Sequence, residues 1–178
     1  TKSIRRSRRL RKSLNGIARS KYGFGQALRL EFGSLDNVYF LGPQFSDDKL
    51  KVLKRVPHLR ILILTNTQVT DEGLAELKEF ADLNCLYIAN VDLTKLVGPA
   101  AAHRNSVPRI TGQGLASLKD LPNLQVVQLI GTSTTDQDLQ HLSALTKLVF
   151  VDLKDTNVTD AGVVELRKAL PNCRVVRR

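Results

Sequence analysis

An internal repeat constrains the fold of this chain more than any other feature. The segment LRILILTNTQVTDEGLAELKEF, from Leu59, returns as LQVVQLIGTSTTDQDLQHLSAL from Leu124 and as LVFVDLKDTNVTDAGVVELRKAL from Leu148. The last two copies begin 24 residues apart, and a period of this length indicates a stack of similar structural units. Further copies at the same spacing begin at Leu35 and at Leu83, and a half-unit begins at Cys173. The sequence therefore contains about five repeats and a terminal strand.

The spacing of apolar residues changes partway through each repeat. In the copy from Leu59, Leu62 and Leu64 alternate with outward-facing positions, which predicts a strand, whereas Leu74, Leu77 and Phe80 recur at helical spacing. A helix of about ten residues is marginal alone in water, and a single strand has no partner. Each unit must therefore bury its apolar side against its neighbours, which predicts a right-handed parallel stack with strands on one face and helices on the other.

The consensus of these units, L-x-x-L-x-L-x-x-T-x-V-T-D-x-x-L-x-x-L, resembles the leucine-rich repeat signature L-x-x-L-x-L-x-x-N/C-x-L over about residues 35–178. Its T-D-x-G-L ending resembles short bacterial, planctomycete-type proteins and, more loosely, the repeats of F-box substrate receptors. The resemblance implies an α/β solenoid with parallel strands on the concave face and helices on the convex face. Thr67, Thr132 and Thr156 stand at the family's Asn or Cys position, and we expect their hydroxyls to bond the next coil.

Charge divides the chain into an arm and a neutral body. The net charge is +10, and residues 1–30 contain ten Lys or Arg and no acid, which leaves 17 basic and 17 acidic residues in the remainder. We expect a basic N-terminal arm or helix over residues 1–24, a capping strand over 25–34, and a repeat domain over 35–178. A loop at 92–108 interrupts that domain and lengthens one coil from 24 to 41 residues.

The basic arm allows several interpretations. Its candidate contacts with a membrane or with phosphate are Arg5, Arg6, Arg8, Arg9, Arg11 and Lys12. The arm could lie on an anionic membrane surface, bind phosphate, act as a transit peptide, or follow a membrane anchor placed before Thr1. The last option predicts a bacterial membrane-associated or envelope location, against a cytoplasmic or organellar one. Nucleic-acid binding is disfavoured, since no recognition motif or interleaved aromatic residue accompanies the charge.

The strand positions that point away from the helices define the candidate partner-binding surface, here called the concave face. In the repeat register it is strongly apolar for a face expected to meet solvent, and such a patch usually marks a contact surface. Its candidate residues are Tyr39, Ile61, Ile63, Cys85, Tyr87, Val126, Gln128, Phe150 and Asp152. His103 and Arg104 of the 92–108 loop are added because long loops within compact repeats are often functional. Coverage by the chain itself, or a homodimer through this face, is the alternative.

The recurring Thr-Asp pair is interpreted as a helix start. Ser46-Asp47, Thr70-Asp71, Thr135-Asp136 and Thr159-Asp160 each precede a helical stripe, with Thr111-Gly112 as the exception. A Ser or Thr side chain caps the first backbone N–H groups of a helix, and an Asp beside it is favoured by the helix dipole. Stacked carboxylates that bind a cation are the less favoured alternative.

Catalysis, metal and cofactors have little support in the sequence. His58, His103 and His141 share no ligand spacing, and no carboxylate or nucleophile recurs beside His58 or His141. Cys85 and Cys173 lie about three strands apart, roughly 14 Å at ~4.8 Å per strand, which predicts two free thiols. We therefore expect no cofactor and a non-enzymatic protein-interaction module with an unknown protein partner. The alternatives are a membrane-tethered, self-associating envelope protein and an F-box-like ubiquitin ligase substrate receptor.

Overall fold

Each repeat folds into one strand followed by one helix. The computed structural model describes residues 36–56, 58–91 and 110–178. Its strands are β1 Asn37–Leu41, β2 Ile61–Thr65, β3 Cys85–Ala89, β4 Val126–Ile130, β5 Phe150–Asp152 and β6 Arg174–Val176. Its α-helices are α1 Asp47–Leu53, α2 Asp71–Ala75, α3 Gly112–Ala116, α4 Asp136–Ser143 and α5 Asp160–Ala169. Single 3₁₀ turns, Glu76–Glu79 and Ser117–Asp120, continue α2 and α3.

The strands form one parallel sheet in chain order, β1-β2-β3-β4-β5-β6. This order is the predicted solenoid: every strand pairs with the strand of the next repeat, and the helix between them returns the chain on one side of the sheet. The basic arm at 1–24, the capping strand at 25–34 and the loop at 92–108 lie outside the described residues.

The core lies between the sheet and the helices. One row of inward side chains crosses all six strands in register, and none is more than 2% exposed: Val38, Leu62, Leu86, Val127, Val151 and Val175. Leu74 and Leu77 approach from the helix side with no exposed surface. Replacing one such leucine by alanine costs typically 2–5 kcal/mol, because a cavity adds to the lost burial.

The long third coil leaves the sheet intact. β3 and β4 pair over their full length although the 92–108 loop separates them in sequence. The backbone N–H of Val126 donates to the Asn84 carbonyl at 3.0 Å, as that of Cys85 donates to Arg60 at 3.0 Å in the preceding coil. The insertion therefore leaves and rejoins the coil without shifting the repeat register.

Helix starts fall where the Thr-Asp pairs predict them, but the pairs do more than cap. Thr111 and Thr159 accept hydrogen bonds from the backbone N–H groups of Gln113 (3.2 Å) and Gly162 (3.3 Å), which confirms capping at α3 and α5. At α1 and α2 the N-cap side chains of Ser46 and Thr70 make no cap bond, so the prediction is wrong there.

In three of the four pairs, the Asp binds the helix start of the next coil. Asp71 accepts the backbone N–H of Thr111 at 2.8 Å and its hydroxyl at 2.6 Å. Asp47 makes the same two bonds to Thr70, and Asp136 makes them to Thr159. A carboxylate accepting both donors ties the entry of one helix to the entry of the next, so the motif is a link between coils.

The glycine of T-D-x-G-L makes room for that link. A Cβ at Gly73 would overlap the carboxylate of Asp47, and a Cβ at Gly162 would overlap that of Asp136. Gly114 lies under Asp71 in the same way. The repeated glycine is therefore explained by close approach of the preceding coil.

Two of the repeat threonines do not have the predicted role. Thr132 donates to Leu129 at 2.8 Å and Thr156 donates to Leu153 at 2.6 Å, both within their own coil, so the prediction is wrong for these two. The neighbouring Asn66 side chain does reach the next coil: it donates to the Val91 carbonyl at 3.0 Å and accepts the Val91 N–H at 2.8 Å.

Candidate functional site: the concave face

The concave face consists of side chains that alternate with the core residues along each strand. Its first row runs through Asn37, Ile61, Cys85, Val126, Phe150 and Arg174. Its second row runs through Tyr39, Ile63, Tyr87, Gln128, Asp152 and Val176. The structure thus brings together all nine strand residues selected from the sequence as a candidate surface.

These side chains are half-buried by their neighbours in the sheet. Every one of the nine falls in the intermediate burial range, so each still offers surface to a second molecule. A third row, at the carboxyl ends of the strands, contains Leu41, Thr65, Ala89 and Ile130. Ala89 is fully buried and contributes nothing to the face. Leu41 and Ile130 in the same row are half-buried, which extends the apolar surface to the carboxyl ends of the strands.

Polarity changes along the face. From β1 to β4 the side chains of the two rows are apolar, with Asn37 and Gln128 as the exceptions. At the β5 and β6 end, Asp152 and Arg174 introduce charge, and the exposed Lys154 follows β5. The surface is therefore an apolar patch with a charged margin at β5 and β6.

The charged margin affects the pKa of Tyr87, which lies in the apolar part of the face. Burial raises the pKa of the Tyr87 phenol above its ordinary value of 10.0, and the negative charge of Asp152 raises it further. A single strand, carrying Gln128, separates the two residues. Tyr87 is consequently a neutral hydroxyl at physiological pH, able to donate a hydrogen bond at the centre of an apolar surface.

Both cysteines are free thiols, as predicted. Burial raises the pKa of Cys85 on the concave face and that of Cys173 before β6. A raised pKa keeps a thiol protonated, and the protonated form is a poor nucleophile and metal ligand. Cys85 therefore acts as a small apolar residue of the face.

The histidines differ from expectation in one respect. Nδ1 of His58 lies 2.6 Å from Oδ2 of Asp82, so His58 does have a carboxylate partner, placed one repeat later in the same turn. The His58 side chain is 82% exposed, and the pair joins two surface turns. Within residues 36–56, 58–91 and 110–178, no group of three His, Cys, Asp or Glu side chains could hold a metal ion.

Several selected residues cannot be placed. His103 and Arg104, and the arm residues Arg5, Arg6, Arg8, Arg9, Arg11 and Lys12, lie outside the described residues. In the part of the chain that the structure does describe, no helix is long and apolar enough to cross a bilayer.

The fold and its repeated strand-helix unit define a solenoid repeat protein. A family model described as Leucine Rich repeat matches residues 57–78 and 144–166, which include the strands β2 and β5, the helix α2 and most of α5. The family model thus matches two of the repeats of this chain, those that begin at Leu59 and Leu148. The narrower resemblance to planctomycete-type proteins stays a prediction.

Two solved structures are similar to this chain. One is an internalin C2 from Listeria monocytogenes, 22% identical with a TM-score of 0.44, over 71% of this chain and 45% of that one. The other is a leucine-rich repeat protein from Leptospira interrogans, 18% identical with a TM-score of 0.43, over 71% of this chain and 33% of that one. This chain thus spans less than half of either protein. A search among curated proteins found no match.

Proposed function

We propose that this protein is a non-enzymatic scaffold that captures a protein partner on its concave face. The observation that supports this proposal is the apolar patch formed by the outward side chains of β1 to β4, which no described segment covers. The repeat requires apolar residues at the inward positions of each strand but sets no residue type at the outward positions. The architecture therefore does not explain why the outward positions are apolar at Ile61, Ile63, Tyr87 and Val126. A contiguous apolar patch on a protein surface usually serves recognition.

Aromatic anchors concentrate the expected binding energy. Tyr39, Tyr87 and Phe150 are the residue types most often found among energetically dominant interface positions or their apolar surroundings. Tyr87 lies in the middle of the sheet, between Ile63 and Gln128. We infer that it is the central anchor, with its neutral hydroxyl bonded to a polar group of the partner.

The size of the sheet indicates that a partner extends beyond it. Five strand spacings of ~4.8 Å by a strand length of ~17 Å give a face of about 400 Å². A stable interface buries about 800 Å² on each partner. A partner must therefore also contact the rim, and the 92–108 loop, with His103 and Arg104, is the segment we propose for this second contact.

The basic arm supports a second candidate, in which the protein is tethered at a membrane and self-associates. Ten cations without an acid in residues 1–30 are suited to an anionic surface. In that case a second copy of the chain is the occupant of the concave face. The F-box-like substrate receptor remains the third candidate.

Affinity capture followed by binding of the purified partner tests the main proposal. We expect Tyr87→Glu together with Phe150→Glu to abolish binding, since two carboxylates would enter the apolar contact. Val149→Glu is the matched control, because Val149 is 50% exposed immediately before Phe150 and lies outside the face. Analytical ultracentrifugation of the same variants separates partner binding from self-association. Unchanged partner binding and oligomeric state in the double variant would contradict the proposal.

A further inference from the structure

Three adjacent side chains in the second row of the concave face carry polar groups. In the sheet register Tyr87 on β3 pairs with Gln128 on β4, and Gln128 pairs with Asp152 on β5. Neighbouring strands lie about 4.8 Å apart, so a phenol, an amide and a carboxylate follow one another over about 10 Å. The strands β2 and β6 flank these three, which places the Tyr87–Gln128–Asp152 cluster inside the sheet.

Most of the hydrogen-bonding capacity of this cluster is unused. Among the residues that the structure describes, the Tyr87 hydroxyl and the Gln128 amide make no hydrogen bond, and Asp152 accepts one, from the Lys154 backbone N–H to Oδ1 at 3.0 Å. All three side chains of the cluster are half-buried. A molecule that covers them removes their remaining water, and it must then supply donors to the carboxylate, because an unpaired buried charge is costly.

Two cations stand near Asp152 without pairing with it. Lys154 follows on the same strand and Arg174 lies in the first row on β6, and both are exposed. The ion pairs found within the described ranges involve neither of them. The margin thus has two positive charges and one negative charge, so its net charge does not select the ligand. The selection is local, because Lys154 and Arg174 can keep their charged ends in water while a half-buried carboxylate is covered.

The chemistry of the cluster fits a guanidinium group. The Asp152 carboxylate and the Gln128 carbonyl are acceptors on adjacent strands, and arginine has five N–H donors in a planar fork. Phe150 precedes Asp152 by two residues on the same face and offers an aromatic ring for stacking. A lysine ammonium is a compact point charge that lacks both the fork and the flat surface.

We propose that Asp152 and Gln128 bind an arginine side chain of the partner protein, while the Tyr87 hydroxyl donates to a carbonyl of the same segment. This assignment rests on the proposed binding of a protein at the concave face, and it adds the chemistry that the partner must present. The apolar patch supplies contact area for aliphatic or aromatic residues of that segment. The carboxylate fixes its orientation, because the arginine has to lie over β4 and β5.

Selection from a library of random peptides displayed on phage, with the full chain as target, tests the proposal. We expect enrichment of peptides in which an arginine accompanies aliphatic or aromatic residues. Asp152→Asn should weaken their binding about tenfold, because the charge is lost while the acceptor for the Lys154 N–H remains. Asp155→Asn is the matched control: it removes the same charge at an exposed position three residues later, outside the two rows, and should leave the affinity unchanged.

A double-mutant cycle tests the contact directly. Replacing the arginine of a selected peptide by glutamine should weaken binding to the parent protein about tenfold, but binding to Asp152→Asn less than about threefold. Additive effects in this cycle, equal losses in Asp152→Asn and Asp155→Asn, or enrichment of acidic peptides would each overturn the proposal. Enrichment of acidic peptides would show that Lys154 and Arg174 determine the selection.

The variant with both Tyr87→Glu and Phe150→Glu separates this proposal from the proposed function. Peptides that it no longer binds, but that are insensitive to Asp152→Asn, would overturn the arginine site alone and leave binding at the concave face supported. Peptides that still bind this variant lie elsewhere and would contradict both proposals, as would failure to select any peptide. A synthetic peptide of residues 1–17 that binds as tightly, and is weakened by Asp152→Asn, would overturn the assignment to another protein and identify the basic arm of a second copy as the occupant.

Discussion

Gly112 and Asp138 exchange the two roles that aspartate and glycine have at the other described coil junctions. Elsewhere the helix-start aspartate reaches forward over the glycine of the next helix. At the junction of α3 and α4 the helix-start position is Gly112, and Asp138 stands where the next helix otherwise has its glycine. Asp138 accepts the backbone N–H and the hydroxyl of Thr135, each at 2.8 Å. The carboxylate is thus retained at the junction but comes from the other coil.

This exchange predicts strong coupling between the two positions. A Cβ at residue 112 would lie 2.5 Å from Oδ1 of Asp138, so Gly112→Asp should destabilise the protein by about 1–3 kcal/mol through overlap and like charge. Asp138→Gly should also destabilise it, because Thr135 loses its acceptor. The double variant restores the arrangement of Asp71 and Gly114 and should recover most of the loss. Urea unfolding of the four proteins measures the coupling, and additive effects would contradict this account.

The glycines under the other carboxylates should resist a change that usually stabilises helices. Glycine inside a helix costs roughly 1 kcal/mol relative to alanine, yet Gly162→Ala should destabilise this protein because the new Cβ overlaps the Asp136 carboxylate. In an Asp136→Ala background the same substitution should become neutral or stabilising. Thermal unfolding of both pairs checks this, and a stabilising Gly162→Ala in the parent protein would contradict it.

The hydrogen bonds from Thr159 to Asp136, which link two coils, should also lower the measured pKa of Asp136. The hydroxyl and then the backbone N–H of Thr159 lower the pKa of the Asp136 carboxyl below its ordinary 3.8. A carboxyl with a lowered folded-state pKa contributes stability above its unfolded-state pKa, and this contribution is lost as pH falls through the folded-state value. Carbon NMR should show Asp136 titrating below ordinary aspartates, and Thr159→Val should return its pKa toward the ordinary value. An unchanged pKa in Thr159→Val would exclude the hydroxyl as the cause.

The sequence predicts much of this architecture because the repeat period is also the strand register. Leu62 and Leu86 are 24 residues apart and are paired in the sheet, so counting along the chain places both the core row and the concave rows. Counting does not show how side chains cross from coil to coil. The bond from Asp71 to Thr111 spans 40 residues across the insertion, and the sequence alone suggests a local cap there. The paired exceptions at Gly112 and Asp138 were the available signal for it.

The concave face yields a pH-dependent prediction at its centre. Burial, and to a smaller extent the Asp152 charge, raise the pKa of Tyr87 above 10.0. Asp152→Asn should therefore lower this pKa but leave it above the ordinary value, because burial remains. A raised folded-state pKa contributes stability that is complete below the unfolded-state pKa and is lost as pH rises through the folded-state value, so unfolding should become easier above about pH 10. Ultraviolet titration of the parent, Asp152→Asn and Tyr87→Phe proteins isolates the Tyr87 signal.

If Asp152→Asn leaves the pKa of Tyr87 unchanged, the charge of Asp152 does not act on the Tyr87 hydroxyl. Bound partner should raise the Tyr87 pKa further by removing more water, whereas a partner bound elsewhere should leave it unchanged.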